Sequence, residues 1–383
     1  MRARLTLLAA ALASGMAQAE LRGSGDLGLV IERASGSVQI VETTTPRSLG
    51  RIEGLGDLSH ATAVFSRDAR HAFVFGRDGG LTKLDLLAGR IERRIVQAGN
   101  AIGGAISQDG RLVAVANYEP GGVKLFDARS LELVQDIPTG SKVVGIADVP
   151  GQGFIFSLFD GDAIWLADTG KGESGPRLTK FADIGRQPYD GLITPDGRHY
   201  IAGLFGEDGL ALIDLWRPEA GARRILAGYG RGQEPLPVYK MPHLRGWAVA
   251  GGLAFLPAIG RHEVLVADTR DWKQVTAIAV HGQPVFAVAR PDGRHVWVNF
   301  AHPRNDTVQV IDAAKLEVAH TLKPGRGVMH LEFTPRGDQL WLSVRDADRV
   351  EIYDTRGPSL IASLPAKAPS GILMAARAHR IGF

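Results

Sequence analysis

A few residues in this chain stand where a side chain could meet a ligand rather than close a turn. His60 opens an alternating apolar segment, a place where a neutral imidazole can ligate a metal or haem iron, or simply sit solvated at a rim. Asp148 follows the apolar run Val143–Ala147 and precedes Pro150-Gly151. It reads either as a base held in apolar surroundings or as the start of a turn. Tyr189 follows Pro188 at the head of a similar segment. Arg77 lies in Gly76-Arg77-Asp78-Gly79, where a guanidinium suits a carboxylate ligand. Asn117 and Tyr118 hold the corresponding place one repeat later. Most of the eleven histidines are less informative. His71, His199, His262 and His295 each follow an arginine at one repeat position, which marks them as consensus structure. His330 falls further along a first-strand segment.

Several chemistries are absent. There is no cysteine, hence no thiolate nucleophile, no covalent c-type haem attachment and no Cys-ligated zinc or iron–sulfur cluster. No nucleotide-binding glycine loop, Gly-x-Ser-x-Gly elbow or His-Glu-x-x-His occurs. Any redox cofactor must be held by other ligands, and an electron partner would be a separate protein.

The elements that must position these residues follow from a repeat. A turn, an alternating strand, a gap and a second strand ending in aspartate recur seven times, closing at Asp85, Asp127, Asp168, Asp214, Asp268, Asp312 and Asp354. Four short strands in each period of roughly 40–45 residues define a propeller blade. In the clearest blade the strands are His60–Phe65, His71–Gly76, Leu81–Leu86 and Ile91–Val96. Asp-Gly turns recur at 109–110, 196–197 and 292–293. The termini share one register: Ile372–Ala378 supplies a first strand, and Leu27–Ile31, Val38–Val41 and Leu49–Ile52 supply the other three. The expectation is an all-β, eight-bladed β-propeller closed by a blade built from both chain termini, which leaves no open sheet edge in the ring.

Residues 1–19 read as an export signal: Arg2 and Arg4, the apolar run Leu5–Ala13, then Ala17-Gln18-Ala19. Residues 20–383 then form a single propeller domain, exported and soluble. Removing the two arginines reduces the formal charge of +3 to a near balance, and no basic cluster with interleaved aromatics suggests nucleic acid. The stretch 221–256 is the longest irregular segment and carries Lys240-Met241-Pro242-His243. A long loop of this kind is either a binding rim or surface irregularity.

The segment from His60 to Leu86, with Gly76-Arg77-Asp78-Gly79 inside it, resembles the first blade of the haem d1 domain of cytochrome cd1 nitrite reductase. The likeness continues through Asn117-Tyr118-Glu119-Pro120 to the C-terminal blade. It implies that His60 is the proximal iron ligand and that Arg77 lies by the macrocycle's carboxylates. Two departures matter. The cytochrome c domain of the reductase is missing, and its distal histidines correspond to the neighbourhood of Asp148 and to Tyr189. In these respects the chain resembles the NirF family of haem d1 biosynthesis, which the resemblance places in the periplasm. It implies non-covalent binding of haem d1 or a late, dihydro-haem d1-like precursor. His60 would bind the iron; Arg77, Asn117, Tyr118 and Arg186 would meet the rim; Asp148 would act over the distal face with Tyr189 and His243 as helpers. Nitrite reductase, other maturation proteins and a c-type cytochrome are the implied partners. Three roles are compatible with it: a side-chain-modifying enzyme or oxidoreductase, a carrier for the cofactor, and an interaction scaffold.

Overall fold

The computed structural model describes residues 22–379 except 152, 171–174 and 230–245. The expected export signal and His243 lie outside the described residues. Eight four-stranded antiparallel sheets form the propeller. Counting from His60, the innermost strands of blades 1 to 8 are Thr62–Phe65, Asn100–Ile106, Val143–Asp148, Pro188–Ile193, Ala248–Ala250, Pro284–Ala289, Val328–Phe333 and Pro369–Met374.

Each blade grades from apolar to exposed as its strands move outward. In blade 1 the second strand, His71–Phe75, is buried from Ala72 onward, while the outermost, Arg90–Val96, is largely exposed. The second strands pack between neighbouring sheets, so their residues are apolar on both faces. Apolar clusters accordingly bridge adjacent blades; Leu58, Phe65 and Val74 share one with Leu29, Ile40 and Leu373 of blade 8. Among the described residues, no helix is long and apolar enough to cross a membrane.

The repeated aspartates and arginine-histidine pairs are turn chemistry. Ser66 Oγ donates to Asp68 (2.5 Å) and accepts the His71 N–H (2.9 Å). Thr194, Asp196 and His199 repeat this. The closing Asp85 accepts the N–H groups of Leu87 and Ala88, and Asp127 those of Arg129 and Ser130. Such side-chain caps on tight turns are why the period is legible as aspartate.

The ring closes as expected. Strands Leu27–Glu32, Ser37–Glu42 and Arg47–Ile52 pair outward from Pro369–Met374. Two boundaries differ. His60 lies in a bend before its strand, and Ala375–His379 forms a 3-10 turn instead of continuing the last strand. The C-terminal turn packs on the inner strand of blade 1.

Candidate functional site at the upper mouth

Strand direction divides the ring into two faces. Each innermost strand starts at the face we call upper, beside the loops that join second to third strands. It ends at the lower face, beside the hairpins that join first to second strands. His60 precedes a first strand; Arg77 lies between second and third strands, and Tyr118 next to the end of a second strand; Arg186 and Tyr189 flank the start of the blade 4 inner strand. All five belong to the upper face.

One repeat position furnishes most of this mouth. The residue at or just beyond the end of the second strand is Arg345 in blade 7, Arg33 in blade 8, Arg77 in blade 1, Tyr118 in blade 2, Phe159 in blade 3 and Phe205 in blade 4. The first three form a basic arc. Burial holds the Arg33 guanidinium below its usual pKa, reinforced by the charges of Arg345 and Arg77 and opposed by Asp57. Arg345 pairs with Asp346 at 2.7 Å. Arg33 and Arg77 make no direct carboxylate ion pair among the described residues; Asp57 attracts both at longer range. The last three give an aromatic arc. Phe159, Phe205 and Tyr189 form a triangle with centroid separations of 5.9, 6.0 and 6.3 Å. The Tyr118 and Tyr189 hydroxyls are 3.5 Å apart. Burial raises the pKa of both phenols, and the nearby Asp190 carboxylate adds to it, so they remain neutral donors.

Other expected residues take different roles. Asn117 is fully buried: its Oδ1 accepts from Gln97 Nε2 at 2.8 Å, and its Nδ2 donates to Gln97 Oε1 at 3.2 Å. It braces blades 1 and 2 and does not present its amide to a ligand. Arg186 is exposed, donates to Gly206 O at 2.9 Å and pairs with Glu207 at 3.5 Å. With Phe159, Asp160, Asp162 and Gln187 it borders a cavity of about 460 Å³ on the upper face.

Asp148 requires a correction. It ends the inner strand of blade 3 and therefore lies at the lower face, away from the mouth that holds His60. At ~3.3 Å per residue, that strand separates its ends by roughly 17 Å. Asp148 is almost completely buried, accepts from Arg67 Nη2 at 3.3 Å and is in hydrogen-bond contact with Gln108 Nε2. Arg67 and Gln108 sit in the first hairpins of blades 1 and 2. Arg67 also donates to Ser107 O, Ile106 O and Ala378 O. Asp148 thus joins three blades and, through Arg67, the C-terminal turn.

The family model for the cytochrome D1 heme domain matches residues 22–378. The chain is 63% identical to Protein NirF of Pseudomonas aeruginosa, covering 98% of both chains, and 60% identical to Protein NirF of Stutzerimonas stutzeri, covering 99% of both. It belongs to the NirF family. The chain also resembles the dihydro-heme d1 dehydrogenase of Pseudomonas aeruginosa, at 30% identity over 90% of this chain and 70% of that protein. The solved structure of dihydro-heme d1 dehydrogenase NirN in complex with DHE superposes with a TM-score of 0.82 at 27% identity, covering 96% of this chain and 79% of that one.

Five residues of this mouth escape the sequence reading: Arg33, Arg345, Phe159, Phe205 and Asp190. The arginines had a usable signal, because they share the repeat position of Arg77. Asp190 had none. It lies in a bulge of the inner strand, which the sequence does not mark.

Proposed function

We propose that this protein acts in haem d1 biosynthesis, holding a late d1-type tetrapyrrole non-covalently at the upper mouth. The observation that carries the reading is the two-sided mouth. Guanidiniums line one arc, two of them (Arg33 and Arg77) without a direct carboxylate partner among the described residues, and aromatic side chains with neutral phenols line the next. A flat apolar ring bearing carboxylates is complementary to both halves. Arg33 and Arg77, with Arg345, would receive the carboxylates, while Tyr118, Tyr189, Phe159 and Phe205 would face the ring. His60, half-buried at the mouth's edge, would be the axial ligand to iron. Among the described residues no group of three His, Asp or Glu side chains could hold a bare metal ion. The bound group would supply the redox and ligand chemistry of its iron and conjugated ring. The chain's own residues bind its edge, orient it and keep one face dry.

The protein would take part in side-chain processing of the precursor in the periplasm, after cleavage of residues 1–19. An oxidative step would pass electrons to a separate carrier such as a c-type cytochrome. A second reading, delivery of haem d1 or its precursor to nitrite reductase or another maturation protein, is favoured by one observation. Asp148 is committed to Arg67 and Gln108 at the lower face, so it supplies no base at the mouth.

The test is an absorbance titration of the purified chain with haem d1, native against His60→Ala. A saturable band shift that changes form in the variant supports the site. No shift in either protein removes the tetrapyrrole reading and leaves an interaction scaffold. If the site stands, conversion of a dihydro precursor by native protein with an electron acceptor separates processing from delivery.

A further inference from the structure

The innermost strands of blades 4, 6 and 7 share a bulge at one height, and that of blade 3 bulges one residue lower. Their registers jump between Val144 and Ala147, Pro188 and Gly191, Pro284 and Ala287, and Val328 and Leu331. In each, two residues stand where the partner strand offers one, an arrangement that re-aims side chains and recurs beside functional sites. The second residue of each pair is Ile146, Asp190, Phe286 and His330. Two are apolar and two can exchange hydrogen bonds with a ligand.

His330 is held on three sides. Ser343 Oγ, fully buried on the partner strand, accepts the N–H groups freed by the bulge, Met329 at 3.2 Å and His330 at 2.9 Å. The His330 ring packs edge-on against Phe286 of blade 6, with centroids 5.6 Å apart. Its Nδ1 accepts the Ile372 N–H of blade 8 at 3.3 Å. A ring of blade 7 that reaches the inner strands of both neighbours lies on the channel wall. Accepting at Nδ1 fixes the neutral tautomer with its proton on Nε2, so His330 is a donor and not a second iron ligand.

Asp190 holds the equivalent place in blade 4. Its Oδ1 accepts the Gly191 N–H at 3.2 Å, and its charge acts on Tyr118 of blade 2, two blades away around the ring. The bulge there is locked by close packing. Gly145, at φ +46°, has no room for a Cβ against the backbone of residues 189–191, and Gly191 has none against the Tyr200 hydroxyl. That hydroxyl donates to Gly145 O at 2.9 Å.

We infer that Asp190 and His330 form a ligand-recognition pair on the channel wall below the mouth, one carboxylate acceptor and one oriented imidazole donor delivered to a single height by the same bulge. The pair suits a rigid ligand with an O–H or N–H group toward blade 4 and an acceptor oxygen toward blade 7, as on the oxygenated edge of a tetrapyrrole. This deepens the function proposed above and rests on it.

The experiment is the same haem d1 titration on Asp190→Asn and His330→Phe, which keep volume and remove the acceptor charge or the donor. Ile146→Val, altered at the same bulge position without a polar group, is the control. Each of the two polar variants is expected to raise Kd about tenfold, the effect of losing one hydrogen bond to a partly desolvated ligand. The control keeps the native Kd, and the band that depends on His60 keeps its position throughout. Native affinity in both polar variants overturns the pair while leaving the tetrapyrrole site intact. Absence of any shift in the native protein overturns both. If either variant is not recovered folded, Asp190→Ala and His330→Leu, which also lack the acceptor and the donor, replace it and are read the same way.

Discussion

Glu32 offers a quantitative test of how the ring is held shut. It ends the N-terminal strand of blade 8 and is fully buried. Burial alone would raise its pKa, yet the hydrogen bonds around it reverse the sign and hold the carboxyl at about 2 instead of 4.5. Arg51 donates at 2.5 and 2.9 Å, and Gln39, Ser37 and the Lys367 N–H each donate at 2.8 Å. The last comes from the C-terminal segment, so this one carboxylate joins both ends of the chain. At ~1.4 kcal/mol per tenfold change in proton affinity, the drop from 4.5 to about 2 corresponds to roughly 3 kcal/mol of folding stability. The sign follows from the depressed folded-state pKa. The contribution is fully present above pH 4.5, fades as pH falls toward 2, and is absent below that. Glu32→Gln keeps the shape and removes the charge. Urea unfolding of both proteins from pH 7 down to pH 2 should give a difference of about 3 kcal/mol near neutrality that shrinks toward zero in acid. A difference that is small at pH 7, or unchanged at pH 3, would refute the idea that the charged form of Glu32 locks the closure.

Three further outcomes follow from the geometry. Asp148→Ala should lower stability by about 1–3 kcal/mol, because Arg67 keeps its carbonyl acceptors but loses its carboxylate, while the haem d1 band at the upper mouth persists; thermal unfolding beside an absorbance titration checks both. Gly191→Ala should cost about 1–3 kcal/mol in urea melts by forcing the Tyr200 ring and hydroxyl away from Gly145 O. Replacing Arg33 and Arg77 together with glutamine should weaken haem d1 binding by about tenfold or more and flatten its dependence on salt, whereas the same change at the exposed Arg217, in a third-to-fourth-strand connection, should do neither.

The ring was legible because turn chemistry repeats. Capping aspartates mark the ends of third strands, and their spacing counts the blades. Closure was legible because the terminal segments complement one another in strand number. The strand order of the structure puts His60, Arg77, Tyr118, Arg186 and Tyr189 on one mouth. Asp148 was misplaced for a physical reason: a first strand crosses the whole channel, so its first and last residues belong to opposite faces. Asn117 occupies a rim position in the sequence, but only the three-dimensional packing shows that Gln97 engages its amide. The bulges stayed hidden because an extra residue in a strand leaves no trace in apolar alternation until its partner strand is known.

The bulges also separate two jobs that a β-sheet usually asks of one residue. Elsewhere in the inner strands, each side chain helps to set the ladder and pack the core, so changing it disturbs the fold. At Ile146, Asp190, Phe286 and His330 the ladder steps around the residue, and in blades 6 and 7 Asn299 and Ser343 take over the hydrogen bonding of its backbone. These positions act as sockets in the lumen, three at one level and Ile146 one residue below it. A lineage, or a designer, could refit them with acids, bases or apolar groups and turn the same ring toward a different cargo without reworking the walls.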